Sequence, residues 1–299
     1  MGDVAARVHR LRLADDVLAG GDLIGPAFRD LRAAITLYRE SSHTEGIAKA
    51  LLVQIGELAQ IAGWIASDAG RHDLAERAYN LGVSAARQGE DATLAANLTG
   101  SLAYQYANTG RERRGVELAR AALDEAGPRS PAKARALFFD RLAWAHARTG
   151  QAQAAIRALG EAHDALAQDG AAGDEPQWLY WVNDDELDVM DARVHTELHK
   201  PLRAVPLLST ILDRYDPTHT RELVLYLSWL AIAYADANEP EAAAVTAARM
   251  LDLSSGLASD RAATRTRIVL DRLAQFSDSP EVRTLADEWQ RSGPAGDDE

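Results

Sequence analysis

The chain contains no cysteine. That removes disulfide staples, thiol nucleophiles and cysteine-ligated zinc, and leaves a cytoplasmic location as the expectation. Lysine is nearly missing too: Lys49, Lys133 and Lys200 stand against an arginine-rich remainder. Only ten prolines and four phenylalanines occur in 299 residues, and no β-branched run alternates as a half-buried strand would. No stretch approaches the roughly 18 uncharged apolar residues that span a bilayer. Met1 to Arg12 carries charge throughout without an apolar centre, so neither a membrane contact nor a secretion signal is expected. Gly-rich phosphate loops, nucleophile elbows and Ser/His/Asp arrangements are missing, so the sequence predicts no enzyme, no cofactor and no metal.

Positive charge is in short supply, with 32 basic against 45 acidic side chains and a net charge of −13. Direct nucleic-acid binding draws its affinity from neutralised phosphates and is not expected of such a chain. The imbalance is local. Arg111 to Arg148 holds nine basic residues and five acidic, whereas Ala158 to Ala192 holds ten carboxylates and neither Lys nor Arg. The 47% of apolar residues is enough to bury a continuous core.

What is present is a repeat. Trp64, Tyr104 and Trp144 stand forty residues apart, as do Asp68, Asn108 and Arg148. Gly70, Gly110 and Gly150 hold a third phase, and Ala75, Gly115 and Ala155 a fourth. A period in this range is the mark of a helical solenoid, whose two-helix units bury their apolar faces only against neighbours. The glycines end each first helix, and the small residues beyond let the second helix cross closely.

This repeat sets the predicted organisation. Residues 7–56 form N-terminal capping helices or a degenerate repeat: a helix from Arg7 to Leu18 ended by Gly20-Gly21-Asp22, a second started by Pro26, a third from Thr44. Residues 57–168 form three regular repeats. Residues 169–177 are a flexible loop. Residues 178–291 hold two further repeats and C-terminal caps, with one helix from Trp178 to Leu198 and Asn238 at a turn position. Residues 292–299 are a disordered tail.

These units resemble tetratricopeptide repeats, on the small residues Gly63/Ala103/Ala143, the turn glycines, Ala75/Gly115/Ala155 and Gly82/Ala122/Ala162. That family repeats at about 34 residues, so units of forty are longer by about six. More narrowly, RLRLADDVLAGGDL, LAQIAGWIASDAGRHDLAERAY, LYWVNDDELDVMDARV and PLRAVPLLSTILDRYDPTHTRE resemble the C-terminal half of actinobacterial regulators. Those regulators join an Xre-type helix-turn-helix to a tetratricopeptide array, and no helix-turn-helix precedes Arg7 here. The resemblance implies an all-α, right-handed superhelical solenoid of antiparallel helix pairs that receives a signal in its concave groove. The expected partners are a signalling peptide, a small ligand or a partner protein, with a homodimer also in view. The alternative is a constitutive adaptor that offers the acidic stretch Asp174 to Asp191 to a basic partner.

In that family the first helices line the groove. Trp64, Tyr104 and Trp144 share a helix face at i, i+4 with Asp68, Asn108 and Arg148. Counting back adds Gln60, Asn97 and Asp140, and Arg193 completes the candidate ligand-binding set. Carboxamides pair with both peptide N–H and C=O, and aromatics give contact area; the competing reading makes the rings core packing. Asp184, Asp185 and Asp188 match an acidic metal-binding pattern, and His195 and His199 have the spacing of two zinc ligands. Both read better as ordinary helix-end residues. Trp178, Tyr180 and Trp181 are read as a hinge anchor, a dimer contact or a ligand wall.

Overall fold

Turns of one kind recur among the described residues, one after the helix His72–Gln88 at Glu90 (φ 61°, with Asp91 N–H returning to the Ala86 carbonyl) and five between the two helices of a pair. Gly70, Gly110 and Gly150 take φ of 72°, 79° and 70°, and His199 and Asn238 take 52° and 61°. Each follows a helix and is succeeded by a residue whose N–H returns to a carbonyl five positions back: Arg71 to Ala66, Arg111 to Tyr106, Gln151 to His146, Lys200 to His195 and Glu239 to Tyr234. This is the left-handed helix stop that satisfies the orphan carbonyls of a last turn. A Cβ at Gly110 or Gly150 would meet nothing within 4 Å, so backbone conformation, not crowding, asks for glycine there.

The computed structural model describes residues 2–17, 20–168, 175–216, 219–254 and 259–292. It is all-α: among the described residues there is no strand. The helices are α1 (Gly2–Val17), α2 (Gly20–Glu40), α3 (Glu45–Asp68), α4 (His72–Gln88), α5 (Ala92–Asn108), α6 (Glu112–Ala126), α7 (Ala132–Arg148) and α8 (Ala152–Leu166). There follow α9 (Asp184–Glu197), α10 (Pro201–Arg214), α11 (Thr220–Asp236), α12 (Pro240–Ser254), α13 (Asp260–Leu273) and α14 (Pro280–Ser292). The chain divides into two compact units, Met1–Met190 and Asp191–Glu299.

In the first unit, α1, α3, α5 and α7 pack side by side, and each second helix packs between its own partner and the next first helix. The second helices meet one another far less, so the first-helix layer lies on the inside of the curve. The core is a chain of local clusters: α1 to α3, then α3 to α6, then α5 to α7, then α7 to α9. In the second unit, α11 packs on α10, α12 and α13, with one core running from Leu223 to Leu285. Neighbour-only burial of this kind is what makes an array a solenoid.

Small residues are where helices cross. Ala75 and Ala155 are fully buried, and a Cβ on Gly115 would stand 3.0 Å from the Ala103 carbonyl oxygen and 3.1 Å from the Ala107 nitrogen. Backbone cannot yield there, so α5 and α6 sit closer than any side chain would allow.

The structure corrects four expectations. Gly20 and Gly21 do not end the first helix; they begin α2, and Pro26 lies inside it, not at its start. Proline removes only the bond to the carbonyl four residues back, here Asp22 in the first turn, so the loss falls at the end of the helix. Trp178 to Leu198 is not one helix. Gln177–Leu179 is a 3-10 turn, and α9 starts at Asp184 because the Asn183 carboxamide oxygen caps the Glu186 N–H at 2.9 Å. Lastly, α3 is apolar and long enough to cross a membrane by length and composition, with mean hydropathy 1.3. Most of that window, 61%, is buried within the protein, and Glu57 in it pairs with Arg12 of α1 at 3.0 Å. Residues 169–174 of the expected loop and 293–299 of the expected tail lie outside the described residues, as does Leu18.

The turn pattern also places two titratable groups. His146 and His195 both occupy the position whose carbonyl closes the turn. Burial pushes both imidazoles below their ordinary value, helped by Arg120 beside His146 and by Lys200 and Arg203 beside His195. Unfolding lets each take up a proton at the ordinary pKa of about 6.5, so stability is full above that pH and falls as pH drops through it. Urea midpoints measured from pH 7.5 to 5.5 should decline, and the decline should be shallower in His146→Tyr, which installs the residue found at the matching position Tyr106. An identical slope in the variant would exclude His146 as a source.

Candidate functional site

The inner layer of the first unit carries a continuous ring ladder. Trp64 on α3 stacks on Tyr104 of α5 with centroids 5.7 Å apart, and Tyr104 meets Trp144 of α7 at 6.4 Å. Equal phase in adjacent repeats is what brings the three together. Trp64 is half-buried, whereas Tyr104 and Trp144 are 8% and 4% exposed. The rings therefore join the helices to one another as well as facing inward.

The polar candidates divide in two. Asn108 and Arg148 serve the ladder. The Asn108 carboxamide oxygen accepts from Trp144 Nε1 at 3.2 Å while its nitrogen donates to the Tyr104 carbonyl at 2.8 Å. Arg148 Nε donates to the Ala107 carbonyl at 3.0 Å, and its guanidinium lies 3.7 Å from Glu112. Gln60, Asn97, Asp68 and Asp140 lie deeper. Gln60 Nε2 is 3.5 Å from Ser101 Oγ, and Asn97, Asp68 and Asp140 are 5%, 1% and 1% exposed. Such groups give an inner helix face its polarity at a cost in desolvation.

One residue outside the candidate set dominates this layer. Arg141 reaches from α7 along α5, its Cγ 3.9 Å from where a Gly100 Cβ would stand. Its guanidinium carbon lies 4.3 Å from the Tyr104 ring centroid and 5.5 Å from that of Trp64. Arg141 shares its phase with Ser101 and stands three residues before Trp144, a spacing that puts two side chains on one helix face as well as four does.

Arg193 belongs to the second unit. There it lies over the Trp229 ring at 4.3 Å, with Arg265 on the same ring at 5.8 Å and bonded to Ser228 Oγ at 3.0 Å. His199 and Arg272 both bind the buried Asp236 carboxylate. Sequence reading missed these because the second half repeats at a shorter spacing (193, 229, 265) than the forty of the first. His199 lies beyond α9 in the turn, so His195 and His199 do not share a helix face as zinc ligands would.

The aromatic trio beside residue 177 also separates. Trp178 is buried with Leu179 and Val182 against Ala96, Ala122, Ala134, Leu137 and Phe138, and Tyr180 is 52% exposed. Trp178 anchors its segment to α5, α6 and α7. The basic stretch is partly neutralised: Arg111 pairs with Glu76, Arg114 with Glu117, Lys133 with Glu175, and Glu125 binds Arg87.

Fold and layer together define an all-α protein of paired-helix repeats. No protein-family model and no curated protein matches the chain. Among solved structures, BtubC (BKLC) from P. vanneervenii is similar in fold, with a TM-score of 0.52 over 79% of this chain and 91% of that one, at 16% identity.

Proposed function

We propose that the protein is a recognition module, not an enzyme, that takes a peptide or small ligand on the inner layer of α3, α5 and α7. The observation that carries this reading is the row of polar groups (Gln60, Asn97, Ser101 and Arg141) set among aromatic rings on a helix face that packing alone would fill with aliphatic residues. In the manner of the actinobacterial regulators its sequence resembles, the signal would act by population shift. A ligand that binds one curvature of the array more tightly than another changes how neighbouring repeats sit, and a DNA-binding partner segment reads the change.

The test is a melting screen of the full chain against small-molecule and protein fractions of host extract, with mass spectrometry of what is retained. A retained peptide or metabolite that raises the Tm is expected, because a ligand of the native state alone must stabilise it. A retained protein, no small molecule, and affinity that collapses with added salt would replace this reading with an adaptor using the exposed acidic residues Asp184 and Asp185 at the start of α9.

A further inference from the structure

We infer that α8 is the contact helix of a two-fold homodimer, with Gly160 at the crossing point and Arg157 of each copy bound to Asp164 of the other. Gly160 has no internal reason to be glycine. It lies in the middle of α8, where glycine is the poorest helix former after proline, and its φ is not in the left-handed region. Gly56, Gly63, Gly82 and Gly115 also lie within helices, and at each an added Cβ would stand 3.0 Å or less from an atom of another helix. A Cβ at Gly160 would meet nothing within 4 Å. The repeat does not ask for glycine either, since the matching positions one and two repeats back are Arg120 and Asn80. A bare, exposed helix midpoint is what a second helix needs in order to cross closely.

Charge names that second helix. The exposed face of α8 runs Gln153, Ile156, Arg157, Gly160, Glu161 and Asp164, basic before the glycine and acidic after it. Among the described residues, Arg157, Glu161 and Asp164 have no ion pair. A face of this polarity is complementary to itself. A two-fold axis at Gly160 runs the two copies of α8 antiparallel and sets Arg157 of one copy against Asp164 of the other, with Glu161 alongside. The pair then forms twice, as a contact made by the same patch on both copies requires. The arginine fork suits a carboxylate, and Ile156, one turn before the glycine, adds apolar area beside the crossing. The net charge of −13 opposes indiscriminate self-association, which confines contact to places where the signs match. A crossing of one helix buries less than the about 1,200 Å² of a standard interface, so the dimer is a weak one that depends on concentration.

The experiment is sedimentation of the full chain over about a hundredfold range of concentration at low salt. Monomer should give way to dimer and to nothing larger, because a two-fold contact closes on itself. Added salt should weaken the dimer, since its ion pairs sit at the surface. Arg157→Asp and Asp164→Arg each set like charges against one another, and each variant alone should dimerise at least about tenfold more weakly than the parent. An equimolar mixture of the two should dimerise as the parent does, because every copy then meets the opposite charge. Gly160→Leu should block the crossing and leave the protein monomeric. Its melting temperature, measured where the parent is monomeric, should be equal or higher, since leucine is the better helix former and meets no clash within the chain. A parent that stays monomeric throughout, or that grows past the dimer, would overturn the inference. So would charge variants or Gly160→Leu that dimerise as the parent does, or a mixture no better than its components.

Discussion

Tyr79→Ala should destabilise the protein by about 3–5 kcal/mol. Tyr79 is fully buried on α4, and its ring fills a notch in α3 at Gly63, where an added Cβ would come within 2.6 Å of Tyr79 Cε1 and 2.8 Å of Cδ1. The repeats hold this pair of positions three times, and the first shows the complementarity most sharply. Gly63 faces Tyr79, and the equivalent pairs one and two repeats on are Ala103 with Ala119 and Ala143 with Leu159. The largest second-helix residue meets the smallest first-helix residue. Gly63→Ala should therefore cost about 1–3 kcal/mol, because a fully buried ring cannot swing aside. In a Tyr79→Ala background the same change should turn neutral or favourable, since alanine is a better helix former than glycine by about 1 kcal/mol. Urea denaturation of the four proteins closes this double-mutant cycle, and simple additivity would show that the ring and the notch do not depend on each other. Should Tyr79→Ala fail to fold, Tyr79→Leu, the residue at position 159, gives a milder cycle with the same sign.

Much of the fold was legible because the solenoid imposes two local demands on every repeat. A positive φ after each first helix asks for glycine or asparagine, and a close crossing asks for a small residue four or five positions later. Gly70, Gly110, Gly150 and Asn238 met the first demand, and Ala75, Gly115 and Ala155 the second. His199 meets the first as well, but histidine at positive φ is uncommon, so in the sequence it reads as an ordinary helix-end residue and not as the turn position. Its turn comes 49 residues after Gly150, because the residues between α8 and α9 interrupt the period. The start of α9 did carry a signal. Asn183 followed three residues later by Glu186 has the form of a capping box, and aromatic density just before it drew the helix boundary too early.

The candidate site was harder to read. Phase arithmetic found the ring ladder, because Trp64, Tyr104 and Trp144 recur in register. It could not tell which polar neighbours are occupied in holding that ladder. Asn108 and Arg148 look like free groove donors in a sequence, yet their bonds run to Trp144 and to the Tyr104 and Ala107 carbonyls. Arg141 was passed over because counting back from the small residue Ala143 settled on Asp140, its neighbour in sequence.

Trp178→Ala should cost about 3–5 kcal/mol and loosen one segment selectively. Trp178 is 4% exposed, and its cluster joins the 3-10 turn Gln177–Leu179 to Phe138 of α7, itself 1% exposed, and to alanines of α5, α6 and α7. Those alanines offer no bulk of their own, so the indole fills the space over them together with Leu137, Phe138, Leu179 and Val182. Its removal leaves a cavity that Ala96, Ala122 and Ala134 cannot close without moving whole helices. Hydrogen exchange should speed up for amides of residues 177–183 and the first turn of α7, while α3 and α4, which share no contact with the cluster, keep their protection. Tyr180→Ala, two residues away and half in solvent, should cost less than about 1 kcal/mol and leave that exchange pattern unchanged. A Trp178→Ala protein as stable as the parent would mean that the segment is held by its backbone turn, with the ring incidental. Equal losses from Trp178→Ala and Tyr180→Ala would mean that the exposed ring, too, has a packing partner.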